Sequence, residues 1–432
     1  MRTAGGASVA VIGGGYVGLP TAGVLARFGH RVVCAERDAG RFEALRSGTV
    51  PIVEQGLSEL LREGVASGRL RFVPRAAEAV RGAEYVFLCV DTPQREDGSA
   101  DLSFVEAVAA EIAHELAPGT VVVNKSTVPV GTALLVERMT GATVVSNPEF
   151  LREGSAVRDS LHPDRVVVGA HDQRAARRVG ELFSATGAPM IVTDTVTAET
   201  IKYASNAFLA TKLSFVNALA GLCESVGADV RDVVLGLGYD RRIGFEFARP
   251  GPGWGGSCLP KDTAALLRIA DGVGYDFALL RAAIAVNDEA CDRVVRKVVD
   301  ALGGRLEGAT VAVWGLTFKA GTDDRRMSPA VSIARRLVAH GATVRAYDPT
   351  VRPGAVADDL AGIVVCGDAY DACREADAVA LLTEWDELRG LDFSKVAGMM
   401  RATPPVLVDA RNLLDPSALR RAGFSYSAIG RR

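Results

Sequence analysis

Residues Ser8–Glu36 leave little freedom in how this chain begins to fold. Ser8-Val-Ala-Val-Ile-Gly13 has the length and apolar character of a buried strand. Gly13-Gly-Gly15-Tyr16-Val17-Gly18 is a glycine-rich turn opening a helical stretch that runs to about Gly29. Arg31-Val-Val-Cys-Ala-Glu36 is a second strand that ends on an acid. Strand, glycine turn, helix, strand and acid in that order make a Rossmann dinucleotide-binding unit. Gly13 makes the tight turn, Gly15 admits a pyrophosphate, Gly18 allows close helix–strand packing, and the pyrophosphate rests on the helix N-terminus. Glu36 is placed to accept from ribose hydroxyls, which favours NAD over NADP. Arg37 and Arg41 could accept a 2′-phosphate, but Glu36 would repel it; the other roles open to the pair are a solvated basic edge or a cation stacked on the adenine.

The alternation of strands and helices continues. Glu84–Val90, Thr120–Asn124, Thr143–Ser146 and Arg165–Gly169 read as strands, with a helix from about Ser103. Ligands of an open parallel sheet sit beyond the carboxyl ends of its strands, so Thr92, Ser126, Thr127, Glu149 and Glu153 are expected to line one crevice. A chain of 432 residues is too long for one core. The expected organisation is α/β, with two Rossmann-like doubly wound halves joined by a central helical region: a cofactor-binding domain over 1–196, a helical domain with the catalytic loop over 197–300, and a second α/β domain over 301–432. A net charge of −3 offers no basic field for nucleic acid or an anionic membrane surface. No apolar run reaches the length of a transmembrane span, and the first seven residues lack the apolar core of a signal peptide. Seven scattered cysteines without metal-ligand spacing argue for reduced thiols in a cytoplasm and against a disulfide framework or a metal site.

The central region carries the reactive groups. From Thr197 to about Glu224 the pattern is helical, and Lys202 and Asn206 stand four residues apart on one face. In Gly251-Pro-Gly-Trp254-Gly255-Gly-Ser-Cys258-Leu-Pro-Lys261-Asp262, glycines allow close approach of a ligand. A cationic neighbour and a helix starting at Leu259 would favour the Cys258 thiolate. The helical pattern then resumes to about Val299, a length that commonly supplies a dimer interface. Strands at Thr310–Lys319, Ala342–Asp348, Ala378–Leu382 and Pro405–Asp409, with Ser328-Pro329 opening a helix, repeat the first architecture without its glycine fingerprint. Lys319 and Arg411, just past strand ends, suit phosphate or carboxylate contacts.

Taken together these segments resemble the nucleotide-sugar 6-dehydrogenase family, which includes UDP-glucose and GDP-mannose dehydrogenases. The likeness runs through Gly13–Gly18, Pro51–Leu57, Glu96–Leu102, Lys125–Thr132, Asn147–Gly154, Lys202–Asn206, Gly255–Asp262, Phe318–Asp324 and Asp409–Asn412. It implies oxidation of the sugar C6 alcohol to an acid with two NAD⁺. Cys258 would form a thiohemiacetal and then a thioester, and Lys202 would stabilise the oxyanion. Asp262 would serve as general base, Asn206 and Thr127 would orient water, and Glu149 or Glu153 would assist hydrolysis. The same likeness assigns Glu149, Phe150, Leu151, Glu153, Lys202, Asn206, Arg242, Phe247, Trp254, Gly255, Lys261, Phe318, Lys319 and Arg411 to the sugar nucleotide, with Arg242 arriving from a neighbouring subunit of a homodimer or larger assembly. It assigns Tyr16, Val17, Thr92, Ser126, Thr127 and Arg326 to the cofactor.

Four positions depart from the family pattern: Asp91, Trp254, Met327 and Ala248. Met327 removes an acid that could partner Arg326, and Ala248 leaves room in the nucleotide pocket. UDP-glucose is the first expectation for the substrate, dTDP-glucose the second and GDP-mannose the third. A two-electron hydroxyacid-type dehydrogenase of related fold is the rival reading, which would leave Cys258 without a role.

Overall fold

The structure, a computed structural model, describes residues 6–431. Residues 1–5, part of the N-terminal segment expected to lack a signal peptide, lie outside the described residues. Two compact units are present among the described residues, one formed by residues through Ser205 with Ala264–Val273, the other by Asn206–Thr263 with the residues from Gly274 onward.

The first unit is built on an eight-stranded sheet: β1 (Ser8–Ile12), β2 (Arg31–Ala35), β3 (Leu70–Val73), β4 (Tyr85–Leu88), β5 (Val121–Asn124), β6 (Thr143–Ser146), β7 (Val166–Gly169) and β8 (Met190–Thr193), in the order β3-β2-β1-β4-β5-β6-β7-β8. Its strands alternate their side chains between two cores. Val9, Val11, Phe87 and Val123 face one, and Ala10, Ile12, Val86, Leu88 and Val122 face the other. That period of two, with apolar residues on both sides, is why these strands read as continuous hydrophobic runs. The sheet is parallel except at one pair. β7 pairs antiparallel with β6, through Ser146 and Gly169, and carries β8 in parallel beside it.

The second unit repeats the arrangement on six parallel strands: β9 (Thr310–Trp314), β10 (Thr343–Tyr347), β11 (Ile363–Val365), β12 (Ala378–Leu381), β13 (Val406–Asp409) and β14 (Ser425–Ala428), in the order β11-β10-β9-β12-β13-β14. β9 is shorter than the expected run to Lys319, because Gly315, at φ 94°, turns the chain out of the sheet. Ser328 caps the helix Pro329–Ala339, its hydroxyl accepting from the Ala330 N–H with proline in the first turn, as the sequence predicts.

The central helices differ from the expected pair. The long helix spans Thr195–Val226, a shorter helix covers Val230–Tyr239, and the run after Cys258 divides into Leu259–Gly272 and Ala278–Ala301. Gly274, at φ 72°, accounts for the break. By length and composition the long helix could cross a bilayer. It buries Glu199, Lys202 and Asn206 inside the protein, as a core helix does.

Candidate active site

The glycine turn of the first unit meets the geometric demands of a dinucleotide. Gly13 has φ 107°, and a Cβ there would strike the Cys89 carbonyl; a Cβ on Gly18 would strike the Gly13 carbonyl. A Cβ on Gly15 would meet nothing within 4 Å, so this is the open side on which a pyrophosphate can approach. Glu36, buried at the end of β2, accepts hydrogen bonds from Gly14 N–H at 3.1 Å and Asp38 N–H at 2.8 Å. Those two bonds hold the carboxylate beside the turn and leave acceptor capacity for ribose hydroxyls. Tyr16 and Val17 pack on the core beneath the turn. Arg41 stands in the first turn of the helix Ala39–Arg46, and Arg37 stacks on Phe104 at 4.7 Å. These residues fit an NAD.

The strand-end loops of the same unit carry the residues expected to line a crevice. Thr92 donates to the Thr127 carbonyl at 2.7 Å, and Ser126 donates to the Val90 carbonyl at 2.7 Å, so both hydroxyls fix the loop after β5. Lys202 reaches from the long helix to Glu149, Nζ to Oε1 at 2.8 Å, with both groups buried. The other Glu149 oxygen accepts from Leu151 N–H at 2.6 Å. Burial alone would push the Glu149 carboxyl up, but the charge and hydrogen bond of Lys202, the Leu151 N–H and the nearby Lys125 together hold it below the usual carboxylate range. Two cations lie near the Phe150 ring, the Arg165 guanidinium carbon 3.6 Å and Lys202 Nζ 5.6 Å from its centroid. Glu153 follows in the turn before the helix Ala156–Leu161.

Cys258, the expected nucleophile, lies in the second unit. Cys258 immediately precedes the helix Leu259–Gly272, its carbonyl accepting from Asp262 N–H at 2.9 Å. Its thiol is half-buried and lies 3.5 Å from the Ser257 hydroxyl. One turn on, Asp262 is fully buried and held at both oxygens, by Asn206 Nδ2 at 2.5 Å and by Lys261 Nζ at 2.7 Å. Lys261 is thus engaged with Asp262, and the glycines before Cys258 answer to protein neighbours. A Cβ on Gly255 would strike the Met327 carbonyl, and one on Gly256 would sit 2.9 Å from the Phe318 ring.

Other expected substrate residues have structural partners. The Trp254 indole is buried and donates to Ser214 at 2.9 Å. Arg411 donates to the Phe318 carbonyl at 2.7 Å and the Leu382 carbonyl at 2.8 Å, and pairs with Glu384 at 2.9 Å. Lys319 lies 5.5 Å from the ring of Phe318. Phe247 adopts φ 56° beside the buried Ala248. Arg242 is exposed and paired with Asp240. Arg326 is gripped by Asp324 at 2.8 Å, so Asp324 supplies the acidic partner that Met327 does not.

Sequence reasoning missed Glu199. Its buried carboxylate accepts from Gly131 N–H at 2.7 Å, Ala133 N–H at 3.1 Å and the Ser146 hydroxyl at 3.1 Å. Its place three residues before Lys202 on the same helix face was the available signal.

The chain matches the profiles of the UDP-glucose/GDP-mannose dehydrogenase family in its NAD binding domain over residues 7–186, its central domain over 196–289 and its UDP binding domain over 312–416. It is 46% identical to a UDP-glucose 6-dehydrogenase of Rhizobium meliloti, across 98% of this chain and 99% of that protein, and 45% identical to one of Pseudomonas aeruginosa, across 98% and 97%. Among solved structures it superposes on a UDP-glucose dehydrogenase of Pyrobaculum islandicum with a TM-score of 0.91 at 38% identity, covering 100% of this chain and 99% of that one. The open side of Gly15 and the carboxylate of Glu36 suit the NAD binding domain matched over residues 7–186, and the chain belongs to the UDP-glucose/GDP-mannose dehydrogenase family of NAD-dependent nucleotide-sugar oxidoreductases.

Proposed function

We propose that this chain oxidises the C6 hydroxyl of UDP-glucose to the UDP uronic acid, through a thiohemiacetal and then a thioester on Cys258. UDP-glucose is chosen because relatives 42–46% identical over nearly the whole chain carry that substrate in their names. The observation that carries the chemistry is the buried Asp262 carboxylate, held by Asn206 and the partly exposed Lys261 one helical turn after Cys258. Gly13–Gly18, Glu36, Arg41, Thr92, Ser126, Thr127 and Arg326 would hold NAD⁺, and two NAD⁺ bound in succession would each supply the acceptor for one of the two hydrides lost per sugar.

Asp262, held at both oxygens, takes the C6 hydroxyl proton through a water that Asn206 and Thr127 orient. Lys202 stabilises the alkoxide and later the tetrahedral oxyanions. At the aldehyde stage, after Asp262 has returned its first proton to solvent through the same water, the Cys258 sulfur adds to C6; the carbonyl electron pair moves to oxygen and the thiol proton passes to the regenerated Asp262 carboxylate. Once the thiohemiacetal carbon has been oxidised to a thioester, water adds, the C–S bond breaks, and the thiolate leaves as the carboxylate forms. Glu149, engaged with Lys202 and Leu151, orients the lysine, and Glu153 is assigned the assistance of hydrolysis. Phe150, Leu151, Phe247 and Lys261 line the sugar, while Lys319 meets the diphosphate on a loop that Arg411 and Phe318 stiffen. Trp254 and Gly255 shape the Cys258 loop from behind.

We infer further a homodimer at least, with Arg242 contributed across the interface. Phe208, Phe215, Leu222 and Val226 are 70, 61, 56 and 67% exposed, and their spacing lines them along one stripe of the long helix. Seven free thiols agree with a cytoplasmic enzyme. The division at 1–196, 197–300 and 301–432 is kept as the functional one, the three family profiles falling within comparable limits.

The test is NADH formed per sugar consumed, with UDP-glucose, dTDP-glucose and GDP-mannose in parallel. Two NADH per UDP-glucose is the expected result, and Cys258→Ser should release no acid while binding NAD normally. One NADH per sugar, or full acid production by Cys258→Ser, overturns the thioester route.

A further inference from the structure

The two sheets are related strand by strand, and the relation extends to individual hydrogen bonds. The order β3-β2-β1-β4-β5-β6 in the first unit matches β11-β10-β9-β12-β13-β14 in the second. Gly13 directly after β1 and Gly315 directly after β9 both have positive φ. Gly13 N–H donates to Ala35 O at 2.9 Å, and Gly315 N–H to Tyr347 O at 2.7 Å; Cys89 N–H donates to Ile12 O at 2.8 Å, and Leu382 N–H to Trp314 O at 2.9 Å. The acid after the second strand follows suit: Gly14 N–H donates to Glu36, and Leu316 N–H donates to Asp348 at 2.8 Å. Asp348 therefore occupies, in the second half, the place of the ribose-facing acid in the first.

The two acids then diverge. Glu36 takes two backbone donors. Asp348, almost wholly buried, takes six: Leu316 N–H, Thr317 N–H at 3.1 Å, the Thr317 hydroxyl at 3.2 Å and the Trp385 indole N–H at 3.0 Å on one oxygen, and Thr350 N–H at 3.0 Å and its hydroxyl at 2.6 Å on the other. A carboxylate offers about four lone-pair sites, so none remains for a ribose. In the first half a helix begins five residues after the turn glycine; in the second it begins only at Pro329, and the intervening loop carries Phe318 and Lys319. That loop is pinned on every side. The Leu316, Thr317 and Phe318 carbonyls accept from Ser328, Thr383 and Arg411, and the Phe318 ring abuts Gly256, two residues before Cys258.

We propose that Asp348 is the positioning residue of the sugar-nucleotide half: with Trp385 it closes the corner where a dinucleotide ribose would sit and fixes the Leu316–Lys319 loop that presents Lys319 to the diphosphate. The inference rests on the reading that this loop binds the sugar nucleotide, and a Lys319→Ala arm separates the two. Asp348→Asn and the gentler Trp385→Phe, which removes a single donor, are compared with wild type by titration with UDP and by steady-state kinetics. Asp348→Asn is expected to weaken UDP binding and raise the KM for UDP-glucose by about tenfold, with Trp385→Phe changing both less and in the same direction. The KM for NAD and the turnover at saturation should move less than about twofold. If Lys319→Ala weakens UDP binding while Asp348→Asn and Trp385→Phe do not, the positioning role is overturned. Equal losses toward NAD and UDP-glucose also overturn it, as general destabilisation. If Lys319→Ala leaves UDP binding unchanged, the placement of the nucleotide on this loop fails, and the inference with it.

Discussion

Lys202 and Glu149 show how a buried charge can be tolerated and used. Each group has lost its water, and the pair is compensated by a 2.8 Å contact with a further backbone N–H on the carboxylate. Replacing Lys202 with Met leaves Glu149 buried without its main cation, a change that costs about 3–5 kcal/mol for broken buried pairs. The sign follows from the depressed Glu149 carboxyl. Its contribution is present above the ordinary carboxylate range and is lost as pH falls through the depressed value. The gap in thermal midpoint between wild type and Lys202→Met should therefore be wide near pH 7 and close on acidification; a gap that widens on acidification would refute the pairing argument. Turnover should fall about 10²–10³-fold, and a change confined to the KM would reassign Lys202 to binding. The sequence could single out Cys258, Lys202, Asn206 and Asp262 as candidates because they stand in short motifs. The partners around them were less legible: that Lys261 would take Asp262, that Arg411 would hold a carbonyl, or that Trp254 would turn its indole to Ser214 depends on contacts between segments 29 to 93 residues apart or on a choice among adjacent donors.

Between secondary-structure elements, Glu199 acts as a cap supplied from another helix. Gly131, at the N-cap of the helix Thr132–Thr140, has no side chain to offer, and Glu199 of the long helix accepts from Gly131 and Ala133 N–H instead. The same carboxylate ties the loop containing Ser126 and Thr127 to the helix that carries Lys202. Glu199→Gln has one acceptor oxygen where the carboxylate has two, so amide hydrogen exchange at Gly131 and Ala133 should rise and the KM for NAD should increase. The stability cost is about 0.5–2 kcal/mol, as for a lost cap. Burial raises the Glu199 carboxyl, outweighing the three donors. Its stabilising effect is therefore full below the ordinary carboxyl range and declines as pH rises through the raised value. The advantage of wild type over Glu199→Gln should shrink from pH 4 toward pH 8; an advantage that grows over that range would contradict the assignment. The central strands of both sheets were readable as apolar runs with two buried faces. The four strands that were not, β3, β8, β11 and β14, are the sheet edges. They mix exposed and polar positions, as in Leu70-Arg-Phe-Val73 and Ser425-Tyr-Ser-Ala428, and β11 has only three residues. The reversal of β7 left no mark because a strand's apolar pattern is the same in either direction.

For the whole molecule, the stripe Phe208, Phe215, Leu222 and Val226 poses a question of assembly. Fully burying a side chain of this kind contributes about 1.5–3 kcal/mol, so leaving four aligned ones in water is unfavourable unless a second surface covers them. A helix stripe covered by the same stripe of a second copy satisfies the self-complementarity of a twofold interface. Arg242 adds a functional consequence, since it is exposed and held in a fixed orientation by Asp240. If it completes the sugar site of a partner, activity depends on association. Phe215→Glu, with a charge at the middle of the stripe, should convert a dimer or larger assembly to monomers in sedimentation velocity, and should lower kcat/KM for UDP-glucose at dilute enzyme while NAD binding persists. Arg242→Ala should lower the same kcat/KM without changing the sedimentation coefficient. Mixing the inactive Cys258→Ser and Arg242→Ala chains then decides the matter. If the arginine acts across the interface, mixed dimers contain one site with both Cys258 and Arg242 intact, and activity is recovered above that of either variant alone. No recovery, with mixed dimers shown to form, would place Arg242 in its own subunit's site or outside the chemistry altogether.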